Sequence, residues 1–243
     1  MSPSKAAQRG RGAGRTAGSA SSSSKSLSRN WLLWTVIGVV IVAGVLAVVI
    51  SAGGDDGAQA GEVGDEVTVE GESLPPLPSS GTDPAVGEPV PGLEGTSPGG
   101  GSFNYRPGRG EPSLVVVLLH SCPHCQAEVP RIVTLADEGV TERVGVYAVT
   151  TGTDPDLPNY PPSEWLESEG WPFPVLADND DQAAARALGV TAVPFMVFVD
   201  ADGNVAGRTT GEISEEDLTR LLDELKAGDP LSIPSAGEGT ETG

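Results

Sequence analysis

Two cysteines stand at Cys122 and Cys125, and they are the only cysteines in 243 residues. Of the two histidines, His124 lies between them and His120 just before. Thiols at this spacing close a disulfide within one helical turn. Pro123 suits the first position of a helix, where its missing N–H costs nothing. Cys122 then sits at the helix mouth, where backbone N–H groups and the helix dipole favour a thiolate. Such a thiolate exchanges with a disulfide sulfur through a mixed disulfide, and Cys125, one turn inward, resolves it. His124 adds a polarisable neighbour that stabilises the thiolate. A structural disulfide is the plainer alternative in an exported protein, but so short a loop removes little chain entropy. The cysteine pair is itself the redox centre, so no dissociable cofactor is implied.

A second chemistry draws on the same side chains. His120, Cys122, His124 and Cys125 are two imidazoles and two thiols, the donor set of a tetrahedral zinc or copper(I) site. A metal-binding module is therefore the alternative of another class. The proline-bearing turn presents the thiols to each other, with the histidines on opposite sides of a strand-to-helix junction. The redox reading assigns no metal ligand.

The surrounding segments supply the frame. Leu114–His120 is an apolar, β-branched run of strand length. The helix from Cys122 continues through Val129, Ile132, Val133 and Leu135 at helical spacing, with Pro130 inside it. Strands are expected at 143–150, 174–177, 195–199 and 205–209, with a hairpin turn at Asp200–Asn204. Pro161–Leu166 opens a short helix. Asp178 or Asn179 caps another, which runs to Leu188 and closes at Gly189. Ser214 and Asp217 form a capping box ahead of Leu218, Leu221, Leu222 and Leu225. A short hairpin over 91–93 and 102–105 precedes them all. Strands alternating with helices and ending in a hairpin predict an α/β class with a central mixed sheet.

The ends differ from this frame. Residues 1–30 are Ser, Gly, Ala and basic residues, read as a disordered cytoplasmic segment. Trp31 to Ile50 carry no charge, and a helix of that length spans about 30 Å, a bilayer core. Trp31 and Trp34 suit the interface. Basic residues precede this span and Asp55 and Asp56 follow it, so the positive-inside rule keeps the N-terminus in the cytoplasm. The apolar run is longer than a signal-peptide core, which favours an uncleaved anchor. Residues 51–88 read as a flexible, acidic, Gly/Pro-rich linker. The folded domain is expected over 89–228, and 229–243 read as a disordered acidic tail. Of the 34 acids, none precedes Asp55. A body so acidic repels phosphate, which excludes nucleic acid as a partner.

The motifs resemble a known family. Strand, tight turn, Cys-x-x-Cys and helix is the arrangement of thioredoxin-like redox proteins. Cys122-Pro123-His124-Cys125-Gln126-Ala127-Glu128-Val129-Pro130 resembles the active-site helix of membrane-anchored thiol-disulfide oxidoreductases of the TlpA/ResA type. Val190 to Gly203 resembles their second signature, a cis-proline loop running into a strand and turn. The resemblance covers 89–227. It implies a thioredoxin-like fold, a cis Pro194 beside the cysteine pair, and a Val193 backbone that receives an extended substrate. Glu128, three residues after Cys125, is then placed to relay a proton; an exposed first-turns glutamate is the alternative. Three features depart from the pattern, His120 at the strand end being one. Ser121 stands where such proteins carry an aromatic, and Pro-His between the cysteines is the DsbA choice.

Together these observations read as a single-pass, extracytoplasmic thiol-disulfide oxidoreductase. Its partners are exported proteins with cysteines and a membrane or extracytoplasmic redox partner. The Pro-His dipeptide leans the reading toward disulfide formation, with a reductase of the cytochrome c maturation type as the alternative.

Overall fold

The computed structural model describes residues 61–234. The expected segments 1–30 and 31–50, and the first part of the linker, lie outside the described residues. No helix among the described residues is long and apolar enough to cross a membrane.

Eight strands and four helices follow one another in the described chain. The small strands β1 (Thr68–Glu70), β2 (Gly92–Thr96) and β3 (Ser102–Tyr105) make an antiparallel sheet. Next come β4 (Ser113–Leu118), α1 (Pro123–Asp137), β5 (Gly145–Thr150), α2 (Pro162–Ser168), β6 (Val175–Ala177) and α3 (Ala183–Ala187). The chain ends with β7 (Phe195–Val199), β8 (Val205–Thr210) and α4 (Glu215–Ala227). The main sheet has the order β6-β5-β4-β7-β8. β4, β5 and β6 are parallel, while β7 runs antiparallel to both β4 and β8.

The alternation of side chains across β4 explains why it is central. Leu114, Val116 and Leu118 enter one core with Val129 and Ile132 of α1 and Leu218, Leu221 and Leu222 of α4. Val115 and Val117 enter the opposite core, with Leu93, Phe103 and Leu188. A strand buried on both faces must be largely apolar, and β4 is from Leu114 to Leu118, while its buried Ser113 shares a hydrogen bond with the Tyr105 hydroxyl at 2.9 Å. Each fully buried Leu or Val contributes about 1.5–3 kcal/mol over its exposed state. α1 is thereby clamped on the sheet with its N-terminus at the carboxyl end of β4.

The caps agree with expectation in one case and differ in another. Ser214 Oγ accepts the Asp217 N–H at 3.1 Å, as a capping box requires. The helix expected from Asp178 to Leu188 is shorter, over Ala183–Ala187, because Gln182 adopts a left-handed φ of 53°. Asp178 and Asn179 still cap it across that turn, accepting the N–H groups of Ala184, Ala185 and Ala183. Pro130 does not end α1, which continues to Asp137.

The linker reading needs correction from residue 61 onward. Residues 61–88 pack on the domain rather than tethering it. Glu62 is buried, and its carboxylate accepts the Ser163 backbone N–H in the first turn of α2 at 3.0 Å. Arg208, buried in β8, donates to Asp83 Oδ2 and to the carbonyls of Pro75 and Leu188, each at 2.9 Å. Gly189 makes that approach feasible. A Cβ there would lie 2.3 Å from the Pro75 carbonyl oxygen, and its φ is 73°. These anchors are buried charges and a lone glycine, which composition hides beneath Gly, Pro and acids. The tail reading needs correction at residues 229–234, which pack on the domain, and residues 235–243 lie outside the described residues. Leu231 and Ile233 pack against the first core, and Ser232 N–H donates to Glu224 at 2.9 Å.

Candidate active site

β4 delivers the chain to Leu118, and a turn at Leu119–Cys122 reverses it into α1. Cys122 N–H donates to the Leu119 carbonyl at 3.0 Å, and Cys122 is the N-cap with extended φ and ψ. Pro123 occupies the first helical turn, as its fixed φ and missing N–H favour. Cys122 is half-buried and Cys125 fully buried, and both are free thiols. Cys122 Sγ points at the Val193 carbonyl, 3.7 Å away. Cys125 Sγ accepts the Leu119 N–H at 3.4 Å. Burial pushes the Cys125 thiol well above its ordinary range, and the neighbouring Cys122 sulfur adds to the rise.

The opposite wall is the loop before β7. The Val193–Pro194 peptide bond is cis. Its carbonyls are held from β8: Thr210 Oγ1 donates to the Ala192 carbonyl at 3.1 Å, and Gly211 N–H to the Pro194 carbonyl at 2.9 Å. So Cys122, Val193 and Pro194 meet, although 71 residues separate Cys122 from Val193.

Glu128 is not the exposed helix glutamate that stood as its alternative. It is fully buried, one turn behind Cys125. Its Oε2 accepts the Ile213 N–H at 3.1 Å and Arg131 Nη1 at 3.0 Å. Its Oε1 has no hydrogen-bond partner among the described residues. Burial pushes the Glu128 carboxyl up to about 7, against the pull of the Ile213 N–H and Arg131. A carboxyl in this state exchanges its proton near neutrality.

His124 does not turn onto the sulfur, as its place between the cysteines suggested. It is exposed, and its Nδ1 lies 2.7 Å from Glu212 Oε1. Arg131 and Glu212 are site residues that the motifs did not reveal. Arg131 stands three residues after Glu128, a helical neighbour that spacing alone could have flagged. Glu212 is 88 residues from His124 and has no local signal.

His120 is buried and belongs to the wall of the site. Its Nδ1 lies 2.7 Å from the Pro158 carbonyl, which can only accept. Its Nε2 lies 3.2 Å from the Asp154 N–H, which can only donate. The ring is therefore neutral, with its proton on Nδ1. Its carbonyl also accepts Gln126 Nε2 at 2.9 Å and Asn159 Nδ2 at 3.3 Å. His120 thus pins the loop 154–160 beside the first turn of α1. With both nitrogens bonded to backbone, it has no lone pair left for a metal. Among the described residues no three His, Cys, Asp or Glu gather as a metal site. The four-ligand alternative drawn from the spacing loses one of its imidazoles to the loop.

A half-exposed thiol at a helix mouth, a buried second thiol and a cis-proline wall are now in place. A family model described as Redoxin matches residues 85–225, which include all of them. The chain belongs to the Redoxin family. The thiol-disulfide oxidoreductase ResA of Geobacillus thermodenitrificans is 29% identical over 105 residues, covering 43% of this chain and 58% of ResA. The thiol:disulfide interchange protein DsbE of Haemophilus influenzae is 30% identical over 114 residues, covering 47% of this chain and 59% of DsbE. The chain spans less than two thirds of either relative's length. An uncharacterized conserved protein from Geobacillus kaustophilus superposes with a TM-score of 0.52 at 19% identity, over 71% of this chain and 92% of its own. That likeness concerns the fold alone. The Redoxin match and the strand order together make the described domain a thioredoxin-like α/β fold with a mixed sheet.

Proposed function

We propose that this Redoxin-family chain is an extracytoplasmic thiol-disulfide oxidoreductase, anchored through residues 31–50, that exchanges disulfides with cysteines of exported proteins. The observation that carries the reading is the unequal exposure of the pair. Cys122 is accessible at the helix mouth, while Cys125 lies buried behind it. One sulfur can meet a large substrate and the other can meet only its neighbour.

In the oxidising direction a substrate thiolate attacks Cys122 of the Cys122–Cys125 disulfide. An S–S bond forms to Cys122, and Cys125 leaves as a thiolate that takes a proton. A second substrate thiolate then attacks the substrate sulfur bonded to Cys122, which forms the substrate disulfide and releases Cys122 as a thiolate. Two electrons pass from substrate to enzyme, and a redox partner removes them. The reductive direction is the reverse sequence. In it Cys125 must lose a proton that its burial holds tightly, and Glu128 is the base one turn away. Val193 and Pro194 receive the substrate chain beside the sulfur. The cysteines are the redox centre, with no dissociable cofactor or metal.

Direction is proposed to lean to disulfide formation, on the Pro-His dipeptide. One observation keeps the reductase alternative in play: the Glu212 carboxylate engages His124 and sets negative charge beside the turn, which disfavours the thiolate that an oxidant stabilises. The names of the ResA and DsbE relatives, an oxidoreductase and an interchange protein, state no direction. The test is trapping. A Cys125→Ala chain should accumulate mixed disulfides between Cys122 and exported proteins, visible on non-reducing gels and lost on reduction. Cys122→Ala should accumulate none, and equal trapping by both variants would refute the assigned roles.

A further inference from the structure

The charged side chains around the Cys-Pro-His-Cys turn form one line. His124 Nδ1 lies 2.7 Å from one oxygen of Glu212. The other Glu212 oxygen lies 2.7 Å from Arg131 Nη2. Arg131 Nη1 reaches Glu128 Oε2 at 3.0 Å, and the neighbouring Ile213 N–H reaches the same oxygen at 3.1 Å. So a single carboxylate on the turn after β8 bridges the imidazole between the cysteines and the guanidinium over the buried glutamate.

We propose that Glu212 is a positioning residue for disulfide exchange, joining His124 to Arg131 and, through Arg131, to Glu128 behind Cys125. This rests on the thiol-disulfide reading above. Its contacts are partly exposed, with 22% of the Glu212 side chain and 69% of the His124 side chain accessible. Exposed ion pairs add little to stability. Their effect falls on the site, where exchange runs through a thiolate and the disulfide carries no charge. A carboxylate fixed beside the turn by His124 and Arg131 offsets the Arg131 guanidinium and repels that thiolate. It thereby favours the disulfide over the thiolate. Glu212 also holds Arg131 through Nη2 while Nη1 stays on Glu128 Oε2, which leaves Oε1 as the oxygen that takes a proton.

Glu212→Gln keeps the shape and removes the charge. Its full-length chain, equilibrated with reduced and oxidised glutathione, should shift toward the dithiol by about three- to tenfold, which is about 15–30 mV for a two-electron couple. Glu212→Asp keeps the charge and should stay within about twofold of the native constant. In a chain already carrying His124→Gln and Arg131→Met, the Glu212→Gln shift should fall below about twofold, because the side chains that fix the carboxylate beside the turn are gone. Circular dichroism on each variant checks the fold. An unchanged constant in Glu212→Gln, with native protein that equilibrates normally, overturns the inference and leaves thiol exchange standing. An equal shift in the Asp and Gln variants also overturns it. Native protein that fails to equilibrate with glutathione at all overturns the thiol-disulfide reading itself, and the inference with it.

Discussion

Replacing Glu128 with Gln removes the one buried carboxyl behind the cysteine pair while keeping its volume. The size of the effect follows from its environment. Burial raises this carboxyl from an ordinary 4.5 to about 7. The folded chain therefore keeps a proton that the unfolded chain releases. Below the unfolded value both states hold it, and stability is unaffected. As pH rises from about 4.5 to about 7, the unfolded state is progressively favoured. Each pH unit of that window is worth 1.36 kcal/mol, so the full loss is about 3 kcal/mol. Glu128→Gln cannot ionise, so this decline should vanish from its stability curve. The assay is chemical denaturation of the reduced protein at intervals from pH 4 to 8. A kinetic arm follows the same proton. Cys122 loaded with glutathione is released when Cys125 attacks, and native release should turn upward near the Glu128 value. In Glu128→Gln the turn should be absent and the rate at neutral pH lower by about 100-fold, the usual scale of a positioned general base. Parallel stability curves, or native release kinetics in the variant, would refute the reasoning.

Three further outcomes follow from other parts of the structure. His120→Ala should leave the Asp154 N–H and the Pro158 carbonyl unpaired, destabilise the fold by about 1–3 kcal/mol, and open the 154–160 loop to limited proteolysis. Arg208→Met should cost about 3–5 kcal/mol in denaturant unfolding, because Asp83 and two carbonyls lose a buried partner; a change under about 1 kcal/mol would contradict the packing of residues 61–88. Protease added outside spheroplasts should release the folded domain by cutting before residue 61, and protection of the domain would contradict the proposed orientation.

The sequence carried the central frame well because that frame is periodic. β4 is apolar on both faces, α1 repeats apolar residues at helical spacing, and Ser214 with Asp217 signals a helix start. The cysteine pair and Pro194 were legible as a motif and as a resemblance. What escaped depends on long-range pairing. Glu212 meets His124 across 88 residues, and Arg208 meets Asp83 across 125. Neither distance leaves a local pattern. Glu62, Asp83 and Leu74 sit in a stretch whose Gly, Pro and acid content imitates a linker, yet each finds a partner or a core there. In the sequence His120 offered itself as a departure at a strand end and as a metal ligand. Its two committed ring nitrogens explain it, and they depend on a loop that arrives 34 to 38 residues later.

The central claim is that Cys122 and Cys125 act as one reversible two-electron couple. The direct measurement is the mass and thiol content of the native chain across a glutathione redox series. The account predicts one transition in which the chain loses two hydrogens, with no lasting glutathione adduct and a potential above that of thioredoxin, about −270 mV. Two thiols that titrate independently, or stable adducts on both cysteines without an internal disulfide, would contradict it.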